Sequence, residues 1–239
     1  MKRSASEHYR QRLLDLLFPP RCAGCGASGH LLCPACLAQI RRLQQPRCPS
    51  CALPFDGQIC RSCCQPPHPQ RALHAFQAVA AYREPLRTCI HQFKYRGAIR
   101  LAEPLGLLLA ETYRTCNLRS EILVAVPLHT DRERQRGYNH AALLARVCAR
   151  TLGLPLCEQS LERQRPTTAQ AGLQPAERRQ NVAGAFRCRP DPTDVSLRGR
   201  TVLLIDDVCT TGATLEACAL ALLAGGAATV GALVLAQPI

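Results

Sequence analysis

Short apolar runs alternate with longer amphipathic segments over the last two thirds of the chain. The apolar runs predict buried strands, at residues 75–82, 122–126, 201–205 and 229–235. The amphipathic segments predict helices, at residues 85–93, 99–113, 137–152 and 215–223. Strands that alternate with helices form a parallel sheet covered by helices on both faces. The predicted fold class is therefore α/β, with a doubly wound parallel sheet.

The first part of the chain carries a cysteine pattern instead of this alternation. Eight of the 16 cysteines form C-x-x-C pairs, namely Cys22/Cys25, Cys33/Cys36, Cys48/Cys51 and Cys60/Cys63. Each pair presents two thiolates, and tetrahedral Zn²⁺ takes four, so the pairs predict two zinc ions. The first pair joins either the second, as in sequential ribbons, or the third, as in a cross-braced arrangement. Four thiolates complete the coordination of each zinc and leave no open position, which makes the zinc structural.

These patterns divide the chain into parts of different composition. We expect an N-terminal extension at residues 1–20 and a small double zinc ribbon, with four cysteines for each zinc, at 21–65. A proline-rich linker follows at 66–74, and the α/β domain occupies 75–239. The ribbon segment is too short to bury a core without metal.

The segment after the 201–205 strand carries the chemistry of a phosphate site. Asp206 and Asp207 stand at the carboxyl end of the strand, where ligands bind in open α/β sheets. A small, hydroxyl-rich turn follows and opens a helix, with backbone N–H groups suited to a phosphate: Val208, Cys209, Thr210, Thr211, Gly212, Ala213 and Thr214. Carboxylates repel phosphate but accept hydrogen bonds from a diol. The motif therefore predicts a ribose 5-phosphate ligand.

Net charge and hydropathy limit the kinds of partner and the cellular compartment that we expect for this protein. The net charge is +13, and apart from Lys2 and Lys94 the basic residues are arginines. This balance fits a phosphorylated substrate or a nucleic acid. Basic residues of the ribbon form either a nucleic-acid patch or a solvated face: Arg41, Arg42, Arg47 and Arg61. The chain shows no secretory signal and no apolar run of membrane-spanning length, so we expect a cytoplasmic protein without membrane insertion.

The phosphate motif resembles the phosphoribosyl pyrophosphate (PRPP) motif of type I phosphoribosyltransferases. Further segments, in order, resemble the ComF family: Phe93-Lys94-Tyr95-Arg96-Gly97, Val126-Pro127-Leu128 with Arg132, Arg136-Gly137-Tyr138-Asn139, Gln170, Glu177-Arg178 and Asn181. The resemblance implies a type I phosphoribosyltransferase-like domain behind a zinc ribbon. It also implies that PRPP binds with Mg²⁺, that the two acids hold the ribose, and that Lys94, Arg132, Arg134 and Arg136 meet phosphate charge. His140 departs from the family pattern, in which Gln commonly follows the Asn.

Two functions follow from the resemblance and remain alternatives. One is phosphoribosyl transfer, with Asp206 and Asp207 as the catalytic acids. The other is a non-catalytic PRPP-binding module that handles single-stranded DNA or docks other DNA-uptake proteins, because the family is associated with natural transformation. The polar segment 163–181 is either a hood over the nucleotide site or a disordered loop.

Overall fold

The computed structural model describes residues 15, 18–43, 48, 72–165, 181–189 and 196–238. The helices are α1 (Pro34–Gln39), α2 (Leu86–Tyr95), α3 (Ala102–Thr115), α4 (Thr130–Arg136), α5 (His140–Leu152) and α6 (Ala213–Ala224), with a 3₁₀ turn at Ile99–Leu101. The strands are β1 (Leu73–Ala81), β2 (Ile122–Ala125), β3 (Leu156–Cys157), β4 (Leu161–Arg163), β5 (Phe186–Cys188), β6 (Thr201–Val208) and β7 (Thr229–Gln237).

A five-stranded parallel sheet forms the centre of the fold, in the order β1-β7-β6-β2-β3. This confirms the predicted α/β class. β6 lies between β7 and β2, and its apolar residues 202–205 are buried. Ala125 of β2 pairs with Ile205 of β6, so the carboxyl ends of these two strands are neighbours. The loops that follow them therefore leave the sheet side by side.

The helical prediction for residues 137–152 was wrong at its start. The structure ends α4 at Arg136, turns at Gly137 with a φ of +82°, and begins α5 at His140. A positive φ is accessible to glycine but strained for other residues. α4 itself was not predicted because its seven residues are polar and carry no apolar periodicity. β4 and β5 form an antiparallel pair that was not predicted either.

The described part of the ribbon packs directly on the α/β domain. Ala23 and Ile40 are buried in the same apolar core as the sheet. The segment at residues 41–43 runs antiparallel to β1: the Leu43 N–H donates to Val79 O (3.1 Å), and the Ala81 N–H donates to Arg41 O (3.0 Å). This segment covers the outer edge of β1, which is an edge strand of the parallel sheet. The ribbon and the sheet thus share a core and a strand edge.

Candidate functional site

The turn between β6 and α6 frames an open cavity. Its lining residues are Asp206, Val208, Cys209, Thr210, Thr211, Gly212, Ala213, Thr214 and Leu215. Gly212 is the N-cap of α6, adopts a φ of +79°, and makes no side-chain capping bond. The first turn of α6 therefore faces the cavity with backbone N–H groups and the positive end of the helix dipole. Every residue predicted for the phosphate turn lies here.

The two acids of the motif point to different surroundings, because successive side chains of a strand alternate between faces. Asp206 lines the cavity, and its Oδ1 accepts a hydrogen bond from the Asp207 N–H at 2.9 Å. Asp207 is only 2% exposed, and its Oδ1 lies 2.8 Å from Lys94 Nζ. Its Oδ2 lies 2.9 Å from His140 Nε2, although the contact is poorly aligned for a hydrogen bond. Asp207 is therefore engaged by residues of α2 and α5.

The surroundings separate the two carboxyl pKa values. Burial and the neighbouring Asp207 charge raise the pKa of Asp206 to about 6. Burial would also raise the pKa of Asp207, but His140 and Lys94 more than offset it and hold that pKa well below its usual range. Burial lowers the pKa of Lys94, but the Asp207 charge outweighs it and the net shift is upward. At neutral pH the buried Asp207 forms an ion pair with Lys94, and Asp206 is the acid that faces the cavity.

The segment Arg136-Gly137-Tyr138-Asn139 joins several elements beside this pair. The Asn139 side chain accepts from the N–H groups of Ala141 and Ala142, which caps α5, and donates to Val126 O at 3.1 Å. The Tyr138 hydroxyl donates to the Phe93 carbonyl of α2. Side-chain capping residues of this kind stabilise the first turn of a helix. The segment thereby fixes α2, β2 and α5 around the acids.

Arg136 and His140 form a contact that sequence reasoning missed. Arg136 Nη1 lies 2.7 Å from His140 Nδ1, and the guanidinium carbon lies 5.1 Å from the centre of the Tyr95 ring. The motif identified Arg136, but the pairing with His140 depends on the turn at Gly137. The signal that could have found it was the departure from Gln at position 140.

The other cations predicted to meet phosphate occupy different positions. Lys94 contacts Asp207, so its phosphate contact stays a prediction. Burial lowers the pKa of the Arg163 guanidinium, and the nearby charge of Arg132 lowers it further. Arg134 is exposed on α4. Predicted residues Gln170, Glu177 and Arg178, and most of the segment 163–181, lie outside the described residues.

His140, Asp206 and Asp207 bring potential metal-ligating atoms within 4.8 Å of one another. Their hydrogen bonding does not suit a resident ion. A guanidinium can only donate, so His140 Nδ1 accepts from Arg136 and the ring proton sits on Nε2, which is then not a free ligand. Asp207 is already neutralised by Lys94. Mg²⁺ is commonly bound together with substrate phosphates and keeps several of its waters. The arrangement of these three residues is compatible with that mode of binding.

The first four cysteines converge as the sequential pairing predicts. All four Sγ atoms of Cys22, Cys25, Cys33 and Cys36 lie within 4.8 Å of one another, and Cys25 Sγ is 3.6 Å from Cys33 Sγ. Zinc–sulfur bonds of about 2.3 Å in a tetrahedron place sulfurs about 3.8 Å apart, so the cluster fits Zn²⁺.

Backbone groups prepare the cluster for metal. The Cys33 N–H donates to Cys22 Sγ at 3.3 Å, and the Cys36 N–H donates to Cys33 Sγ at 3.4 Å. Burial works against ionisation of Cys22, but backbone donors such as the Cys33 N–H lower its pKa to about 6. A thiol with such a pKa ionises readily, and the thiolate is the form that binds metal.

The structure describes only some of the residues named in the remaining ribbon predictions. Of the second set, Cys48 is buried, and Cys51, Cys60 and Cys63 lie outside the described residues. Arg42 forms an ion pair with Glu111 at 2.7 Å, Arg41 is exposed, and Arg47 and Arg61 lie outside the described residues. The pairing of Arg42 reduces what it can offer to a nucleic-acid phosphate.

Family models match both parts of the chain. A double zinc ribbon domain matches residues 13–65, and a phosphoribosyl transferase domain matches residues 139–238. The DNA utilization protein YhgH of Escherichia coli O157:H7 is 35% identical over 212 residues, covering 85% of this chain and 89% of that protein. The chain belongs to the ComF family. This accounts for the ribbon, the parallel sheet and the motif at residues 206–214 as parts of one family architecture.

Two further relatives carry names from competence. Competence protein F of Haemophilus influenzae is 32% identical, covering 82% of this ComF chain and 87% of that protein. Competence protein ComFC of Bacillus subtilis is 27% identical, covering 82% and 80%. A solved glutamine PRPP amidotransferase from B. subtilis covers 61% of this chain and 30% of that chain at 19% identity, with a TM-score of 0.41. A likeness that partial adds no argument of its own.

Within the described ranges, no helix of this ComF protein has the length and apolarity needed to cross a membrane.

Proposed function

We propose that this ComF protein binds PRPP, or a related ribose 5-phosphate, together with Mg²⁺ in the cavity between β6 and α6. The observation that carries the proposal is the cavity lining, which combines Asp206 with the N-terminal turn of α6. The helix end suits the 5-phosphate, and the carboxylate suits the ribose diol. Neither group suits the other part of the ligand, because the carboxylate repels phosphate.

The two acids would have different roles in ligand binding. Asp206 would accept hydrogen bonds from the ribose, whereas Asp207 would hold Lys94 and His140 in place. This revises the expectation that both acids hold the ribose. Mg²⁺ would neutralise pyrophosphate charge, held mainly by the ligand's own oxygens and by water.

Transfer from PRPP is the catalytic form of this proposal. The bond between ribose C1 and pyrophosphate oxygen breaks, and its electron pair leaves with pyrophosphate. A bond from C1 to the acceptor forms, and the acceptor proton passes to solvent. Charge develops on C1 and on the leaving group, so cations near pyrophosphate and a carboxylate near the ribose would stabilise the transition state.

Calorimetry with Mg²⁺ tests the binding step. We expect PRPP and ribose 5-phosphate to bind, and 2-deoxyribose 5-phosphate to bind about tenfold more weakly, because a hydrogen bond to a charged group is lost. Asp206→Asn should shrink that tenfold difference. Thr211→Arg should block the cavity by bulk, whereas Thr115→Arg adds the same charge at an exposed position and should leave binding intact. Equal binding of all three ligands, or of none, would refute the proposal.

A second candidate is the non-catalytic module that handles single-stranded DNA or docks DNA-uptake proteins. The names of the relatives, DNA utilization protein and competence protein, favour it, and a net charge of +13 is compatible with it. Pyrophosphate release from PRPP, measured with candidate acceptors and with single-stranded DNA, separates the two. Ligand-induced thermal stabilisation without turnover supports the module, and acceptor-dependent release that Asp206→Asn abolishes supports the enzyme.

A further inference from the structure

Arg136 is held by contacts from two other elements. Its Nη1 lies 2.7 Å from Nδ1 of His140, the first residue of α5, and its guanidinium carbon lies 5.1 Å from the centre of the ring of Tyr95, the last residue of α2. Stacking on an aromatic ring restrains the plane of a guanidinium, and a hydrogen bond within that plane restrains its rotation. Both degrees of freedom of the charged group are therefore limited.

His140 links this arginine to the acid pair. Because Nδ1 accepts from Arg136, the ring proton is on Nε2, 2.9 Å from Asp207 Oδ2. The imidazole presents an acceptor on one side and a donor on the other. A glutamine amide offers the same two groups, its oxygen to Arg136 and its nitrogen to Asp207. This equivalence predicts that glutamine can replace the histidine at position 140.

We propose that His140 and Tyr95 are positioning residues that orient the Arg136 guanidinium toward the pyrophosphate group of PRPP. This inference rests on the proposed function and adds the residues that would make the site prefer PRPP over bare ribose 5-phosphate. A guanidinium has five N–H donors, and His140 engages one of them. A cation fixed before the ligand arrives loses less side-chain entropy on binding, so its contacts contribute more to affinity.

Calorimetry of PRPP and of ribose 5-phosphate, each with Mg²⁺, tests this assignment through the ratio of their dissociation constants. Arg136→Met should reduce the preference for PRPP by about tenfold or more, as for a lost charge-assisted hydrogen bond. His140→Leu should reduce it to a similar extent, and His140→Gln should restore it because it keeps one donor and one acceptor. A role in packing alone would not be rescued by glutamine in this way.

Tyr95 provides a second variant that keeps the test decisive if His140→Leu fails to fold. Tyr95 is 63% exposed, so Tyr95→Ala removes little buried surface. We expect Tyr95→Ala to lower the PRPP preference and Tyr95→Phe to keep it, since the ring is what stacks. Arg150→Met, at the other end of α5 in a surface pair with Glu103, controls for the loss of one positive charge.

The experiment distinguishes a failure of the proposed PRPP binding from a failure of the positioning roles of His140 and Tyr95. If the wild-type protein binds neither ligand, the proposed function falls, and this inference falls with it. If the wild type prefers PRPP and both His140→Leu and Tyr95→Ala keep that preference, the positioning roles are wrong and the binding site stands. An equal loss in Arg150→Met would also overturn the assignment, because the effect would then be one of net charge.

Discussion

Replacement by asparagine should change the stability of the protein in opposite directions at Asp206 and at Asp207, because the pKa values of these two acids are shifted in opposite directions. Asp206→Asn removes a carboxyl whose pKa is raised to about 6 by burial and by the Asp207 charge. Asp207→Asn removes a carboxylate that is 2% exposed and paired with Lys94. We expect the first variant to be more stable than the wild type at pH 7.5, and the second to be less stable.

The size of the gain follows from linkage between protonation and folding. In the unfolded chain the carboxyl of Asp206 releases its proton near its ordinary pKa of 3.8, but in the folded protein it does so near 6. The folded state therefore holds more protons between these values, and stability falls as the pH rises through that window. At 1.36 kcal/mol per pH unit the loss is on the order of 3 kcal/mol above pH 6, and Asp206→Asn should recover it.

The expected loss in Asp207→Asn has a different origin. Asp207→Asn removes the carboxylate that lies 2.8 Å from Lys94, and breaking a buried pair typically costs about 3–5 kcal/mol. The depressed pKa of Asp207 has the linkage sign opposite to that of Asp206: its stabilising contribution is present at neutral pH and is lost as the pH falls through the acid range.

Urea unfolding at several pH values measures both effects. For a chain of this size, about 3 kcal/mol corresponds to a shift in Tm of roughly 6–12 °C, which also makes calorimetry suitable. The advantage of Asp206→Asn over the wild type should shrink to less than about 1 kcal/mol at pH 4, because the wild-type carboxyl is then protonated in the folded state. Subtracting the wild-type unfolding free energy from that of the variant at each pH cancels the contributions of the other acids. Equal signs for the two variants at pH 7.5, or an advantage for Asp206→Asn that does not change with pH, would refute the reasoning.

Two further predictions concern the ribbon and the capping residue of α5. Freshly purified protein should contain two Zn²⁺ per chain by elemental analysis, and Cys22→Ser should lower that content by one; one zinc or none in the wild type would contradict the two-site assignment. Asn139→Ala should lower the unfolding free energy by about 1 kcal/mol or more, because it removes the α5 cap and the bond to Val126 O together. Asn139→Ser, which keeps a capping oxygen, should lose less, and equal losses would contradict the capping role.

The strands and the phosphate turn could be predicted because their signals are local. Apolar runs such as residues 202–205 are long enough to stand out, and the spacing of Asp206 and Gly212 within one short segment identifies the turn. The first cysteine cluster was predictable for the same reason. In each case the residues that act together are close in sequence.

The features that escaped prediction depend on contacts between distant residues. Lys94 and Asp207 are 113 positions apart (207 − 94), and only the packing of α2 on the sheet brings them together. Which acid faces the cavity depends on the strand register, and the tautomer of His140 depends on Arg136 across the Gly137 turn. β3, with only two residues, carries too little sequence to show a pattern.

The pairing of residues 41–43 with β1 makes metal supply a question of aggregation as well as of folding. β1 is an edge strand whose last residues are apolar and buried, and such edges recruit other strands when they are uncovered. The covering segment follows directly after the first cysteine cluster, so loss of zinc from the ribbon would weaken its contact with β1. During synthesis the ribbon emerges before β1 and can meet that edge as soon as it forms. Under zinc starvation we therefore expect this chain to be lost as insoluble aggregate before it accumulates as a folded, inactive protein.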